Sequence, residues 1–112
     1  MTKAIRACRG HAAEEKTVDY VIVRTEQAGV FAGELASCND TTRKVVLKNS
    51  RWLWHWAGAL TVEYLALEGT TSPNSCQFPI PVPLRVLYGV KDIIHCTERG
   101  MKSIQEVPVW RG

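Results

Sequence analysis

The sequence predicts an α+β domain: a small, strongly curved antiparallel sheet or partial barrel, with one helix inserted and one C-terminal helix. Three observations carry that prediction. Short runs rich in β-branched residues follow one another across turns of only a few residues, as antiparallel neighbours require. The stretch RWLWHWAGALTVEYLALEG (51–69) switches at Gly58 from a period of two to the period of a helix. A last helical pattern, TERGMKSIQEV (97–107), runs into Pro108.

Taken in order, 1–17 reads as a flexible basic tail and 18–112 as a single domain. YVIVRT (20–25) is a strand by composition. Gln27-Ala28-Gly29 turns the chain into a second strand from Val30 to Ser37, with Gly33 as a bulge or crossing point. Cys38 to Thr42 supplies turn residues through Asn39 and Asp40. Arg43 to Lys48 is a third strand, and Asn49-Ser50 a kink before a tryptophan strand. In that strand Trp52, Trp54 and Trp56 alternate with Arg51, Leu53 and His55. From Ala59 a helix is expected with Leu60, Tyr64 and Leu67 on one face and Gly69 as its stop. FPIPVP (78–83) has prolines at alternate positions, which excludes a central strand there and predicts an extended segment. Leu84–Tyr88 and Val90–Cys96 are strand-like. Thr97 is an N-cap for the last helix, with Met101, Ile104 and Val107 inward, and Trp110 is expected to fold back onto the body.

A chain of 112 residues can bury one core without metal or disulfide support. Lys and Arg exceed Asp and Glu by 14 to 11, a net charge of +3. That bias is compatible with an anionic partner but falls short of a dedicated DNA binder. Met1 to Lys16 is polar, without the apolar centre of a signal peptide, and no apolar stretch approaches the ~20 residues of a membrane span. The expectation is therefore a soluble cytoplasmic protein with its four cysteines reduced.

The sequence has no glycine-rich phosphate loop, no GxSxG elbow and no HExxH helix. Cys8 and His11 have a metal-like spacing, but no second pair completes a site. His95 and Cys96 are neighbours whose side chains point to opposite faces of a strand, which prevents a simple thiolate–imidazolium pair. A non-catalytic protein with no cofactor and no metal is expected. The most suggestive chemistry is aromatic and basic together. Arg43, Lys48 and Arg51 lead into Trp54, His55 and Trp56, and Arg24 ends the first strand. Aromatic faces stack on bases and guanidinium groups pair with phosphates, so this set is the candidate ligand-binding site. The competing reading packs one tryptophan face in the core and leaves the charges on a solvated strand edge.

The runs AGVFAGELAS, VVLKNSRWLWHWAGALTVEYLALEG, CQFPIPVP and DIIHCTERGMKSIQEVPVW resemble a family of small, largely uncharacterised proteins encoded by tailed phages and prophages. The resemblance covers about Asp19 to Trp110. It carries no catalytic residues over, and it implies a protein made in the cytoplasm of a host bacterium. By analogy of context, it implies an accessory or counter-defence factor. The leading expectation is a homo-oligomer that sequesters an anionic nucleotide immune signal. The alternatives are an inhibitor or accessory subunit that binds a host defence protein through the tryptophan face, and a weak single-strand nucleic-acid binder.

Overall fold

A computed structural model of the chain describes residues 18–111; the tail expected over 1–17, with Cys8 and His11, lies outside the described residues. Five strands are present: β1 (Tyr20–Thr25), β2 (Val30–Asn39), β3 (Lys44–Trp52), β4 (Val82–Leu87) and β5 (Val90–His95). Helix α1 (Val62–Glu68) and a 3₁₀ turn (Pro73–Ser75) lie between β3 and β4, and α2 (Glu98–Glu106) follows β5. The strands form one antiparallel sheet in the order β4-β3-β2-β1-β5. The α+β class stands. The sheet is open, however, with β4 and β5 as its two edges and no ladder joining them.

The expected third strand runs through the expected kink into Arg51 and Trp52 as one strand, β3, and leaves Leu53 to Trp56 of the expected tryptophan strand outside it. Asn49 adopts φ +50°, and the register slips where Gly33 of β2 passes the pair Asn49-Ser50. A bulge thus absorbs the extra residue without ending the strand. β3 stops at Trp52, and only an isolated bridge between His55 and Gln77 continues it.

Strand β1 is buried on both faces, which is why it reads as an unbroken apolar run. Val21 and Val23 join Phe31, Val45, Leu47 and Leu87 in one cluster. Tyr20 and Ile22 point the other way, into a cluster built with Leu53, Leu65, Phe78, Ile104 and Val107 beneath the helices.

Helix α1 starts three residues later than expected and turns the opposite face inward. Val62, Leu65 and Ala66 are buried, whereas Leu60, Tyr64 and Leu67 are exposed. Both sets recur at helical spacing, so periodicity alone could not choose between them. Gly69 closes the helix at φ +83°, its N–H reaching Leu65 O. Thr97 caps α2 by accepting from Gly100 N–H at 3.0 Å, and its own hydroxyl donates to Leu67 O at 2.7 Å. A side chain at Gly100 would place its Cβ 1.9 Å from Ala66 O. The glycine that weakens α2 as a helix former is what lets the two helices touch.

The proline-rich segment is extended, as expected, and pinned on both sides. Gln77 N–H donates to His55 O, and Trp110 N–H donates to Phe78 O. Pro83 sits in β4, an edge strand, where a missing donor is tolerated. Cys76 and Cys96 are free thiols.

Candidate binding surface

Pairing of Phe31 with Trp52 across β2 and β3 starts a row of aromatic rings along one side of the domain. The centroids of Phe31 and Trp52 are 6.5 Å apart, those of Trp52 and Trp54 6.1 Å, and those of Trp54 and Trp110 4.9 Å. Trp110 is held over Trp54 because Val109 bridges Phe78 and Trp110 N–H bonds to Phe78 O. At the other end the Arg85 guanidinium lies 4.6 Å from the Phe31 centroid, steadied by Nε donating to Ser50 Oγ at 3.1 Å. Trp52 and Trp54 keep 37% and 50% of their surface in solvent. Leu53 between them is buried on the opposite face. The result is a shallow shelf of three indoles with a cation at one edge.

Three of the four cations expected to bind phosphate have other partners. Arg24 forms a two-point ion pair with Asp92, Nε to Oδ1 at 2.9 Å and Nη2 to Oδ2 at 2.5 Å. That hydrogen bond holds the Asp92 carboxyl below its ordinary range. Arg43 pairs with Glu26 at 3.0 Å at the tip of the β2–β3 hairpin. Arg51 is the clearest correction: it is only 4% exposed. Its guanidinium donates to the carbonyls of Ile104 (3.0 Å), Val107 (2.7 Å), Phe78 (2.9 Å) and Pro79 (3.5 Å). It also lies 5.5 Å from the Phe78 ring centroid. The last carbonyls of a helix have no partners within it, and a cation there satisfies them and complements the dipole. Arg51 therefore latches the end of α2 and the proline segment to the sheet, and burial pulls its pKa downward.

Lys48 is exposed and has no ion pair among the described residues. His55 is exposed too, but its ordered contact is through its backbone. Trp56 is half-buried against the helix-side core, because the strand that would have kept it beside Trp54 has already ended. Of the expected set, only Trp54 lies in the shelf. Phe31, Trp52, Arg85 and Trp110 complete it and were not in that set. The alternating row that named Trp52 and the expectation that Trp110 folds back were the signals available for them.

Burial pushes the Cys96 thiol up to about 12, so it stays protonated. His95 Nδ1 faces Asp19 Oδ1 at 2.9 Å instead. Among the described residues no cluster of three His, Cys, Asp or Glu side chains could hold a metal ion, and no helix is long and apolar enough to cross a membrane.

The family model described as "Domain of unknown function (DUF6948)" matches residues 18–104. The chain belongs to this family. No curated protein and no solved structure matches it. The DUF6948 match spans all five strands, α1 and most of α2. It therefore contains Phe31, Arg51, Trp52, Trp54 and Arg85, whereas Trp110 and Val107, one of the acceptors of Arg51, lie beyond it.

Proposed function

We propose that this DUF6948 member is a non-catalytic binding protein that docks a protein partner on the Trp52–Trp54–Trp110 shelf, which buried Phe31 backs. The observation that carries this reading is the exposure of two adjacent tryptophans, stacked with a third and flanked by Arg85. Tryptophan and arginine are the residues that dominate protein interfaces, and apolar rings left in water at this density are an unmet burial. The phage resemblance supplies the context, an accessory or counter-defence factor acting on a host protein in the bacterial cytoplasm. Exposed Leu84 and Val86 on edge strand β4, and Tyr88 just after it, suit a homo-oligomer.

Curvature belongs to the same reading. Four ladder spacings of about 4.8 Å would set the edges of a flat five-stranded sheet about 19 Å apart. The three residue steps from Leu87 to Val90 reach at most about 11 Å. The Tyr88-Gly89 link between the edge strands thus argues for a sheet that curls, with the shelf along its rim.

A second reading, sequestration of an anionic nucleotide, keeps the exposed Trp54 face for stacking and the unpaired Lys48 ammonium for phosphate. It loses Arg24, Arg43 and Arg51, each already engaged. A photo-crosslinking side chain at position 110 separates the two. Cross-linking to a host protein in infected cells supports partner docking, whereas cross-linking only to added nucleotide supports sequestration. A cross-link yield equal to that of a control at exposed position 71 would refute the shelf in both.

A further inference from the structure

Of the strand arginines among the described residues, Arg24 is held by Asp92 and Arg51 by backbone carbonyls, whereas the charge of Arg85 has neither kind of partner. Arg85 stands in β4 opposite Leu47 of β3. Its side chain runs along β3 to the bulge, where Nε donates to Ser50 Oγ at 3.1 Å. That bond and the Phe31 ring, 4.6 Å from the guanidinium carbon, fix the cation at the end of the aromatic row.

The two Nη groups of Arg85 are open to a ligand. They have no hydrogen-bond partner among the described residues, and the buried atoms left without one are Asp19 Oδ2, Tyr20 Oη and Arg51 Nε. The Arg85 Nη groups therefore reach solvent. The side chain behind them is half-buried, and burial lowers its pKa with no neighbouring charge to raise it. None of the carboxylates in the ion pairs of the described residues serves it. Taking a cation partly out of water is costly, and such groups are normally paired.

The charge decides the ligand class. A fixed guanidinium with its fork open matches a planar carboxylate through two parallel N–H···O bonds. One such cation balances one carboxylate, whereas a terminal phosphate brings close to two charges. Laid end to end, the 4.6 Å from Arg85 to Phe31 and the 6.5 Å from Phe31 to Trp52 equal about three residues of extended chain. We propose, resting on the docking role of the shelf, that the partner's docking segment is acidic and aromatic. Its Asp or Glu side chain pairs with both Nη groups of Arg85, and an aromatic side chain within about three residues lies on Trp52 and Trp54.

The test is an NMR titration of the intact protein with two peptides, acetyl-Glu-Gly-Pro-Trp-Gly-amide and its Gln counterpart, and with adenosine monophosphate. The Arg85 Nε–H and Trp54 indole N–H resonances report the two halves of the site. The Glu peptide is expected to shift both saturably and to bind at least tenfold more tightly than the Gln peptide. Arg85→Gln, at an unchanged melting temperature, should bind both peptides as weakly as the wild type binds the Gln form. Arg85→Lys, which keeps the charge without the fork, should recover part of the preference. Equal affinity of the wild type for the two peptides, with Trp54 shifting, would overturn the carboxylate receptor and leave the shelf standing. No Trp54 shift with either peptide would overturn both, and saturation by adenosine monophosphate alone would give Arg85 to a phosphate instead.

Discussion

Replacing Arg51 by Met keeps the unbranched stem out to about the position of Nε and removes the rest of the guanidinium. Three buried or half-buried carbonyls, Ile104 O, Val107 O and Phe78 O, then lose donors at 3.0, 2.7 and 2.9 Å, and the weaker contact to Pro79 O goes with them. Each hydrogen bond to a charged group is worth about 1.5–3 kcal/mol; Phe78 O keeps Trp110 N–H and Ile104 O keeps Val107 N–H, so the acceptor left bare is Val107 O, at about 1–3 kcal/mol. These losses share one side chain and are not additive. The desolvation cost of the cation, visible in its lowered pKa, is also recovered. A net destabilisation of about 3–5 kcal/mol is the expected result, in line with removing one member of a buried charged network. For a domain of this size that lowers the melting temperature by about 15–30 °C. Urea denaturation followed by circular dichroism measures it directly, and Arg51→Lys, able to reach fewer of the carbonyls, should fall between the two. A loss below about 1 kcal/mol for Arg51→Met would refute the latch and return Arg51 to the list of ligand-binding cations.

Gly100→Ala should cost about 3 kcal/mol, because its Cβ would meet the Ala66 carbonyl and force α1 and α2 apart; urea denaturation again reads it. The Arg24–Asp92 pair gives a small acid-dependent contribution, since its side chains are more than a third exposed. The folded Asp92 carboxyl titrates below its unfolded value, so its stabilisation is present above the unfolded pKa and lost as pH falls through the folded one. Wild type and Asp92→Asn should therefore converge in melting temperature at acid pH and differ near neutrality. Cys96 titrates the other way: its raised pKa favours the folded state fully below the unfolded thiol value, an advantage lost as pH rises towards about 12. At pH 8 its iodoacetamide alkylation should be about 10³-fold slower in the native protein than in urea.

The parts of the fold legible in the sequence are those decided by local chemistry. Tyr20–Thr25 announces a strand through its β-branched residues, and Thr97 announces α2 through its cap. The bulge opposite Gly33 was legible as a glycine inside a strand. What escaped was decided by distant residues. Arg51 looks like a surface cation because the carbonyls it serves belong to residues 27 to 56 positions away. Arg24 looks available until β5 brings Asp92 beside it. Around α1, Leu60, Tyr64 and Leu67 form as good a stripe in the sequence as the buried set, and only the position of α2 selects between them. Trp56 left the expected row because β3 ends at Trp52, a boundary that alternation of residue types does not mark. The shelf was half legible: Trp54 was named, whereas Phe31 and Arg85 come from β2 and β4.

The docking role of the shelf is tested most directly by native mass spectrometry of tagged protein purified from infected host cells, wild type beside Trp54→Ser. Trp54 is half in solvent, so the substitution should leave the melting temperature within a few degrees of wild type. The account predicts a stoichiometric host protein bound to wild type and reduced at least tenfold on the folded variant. The same partner retained at the same stoichiometry on Trp54→Ser would contradict it.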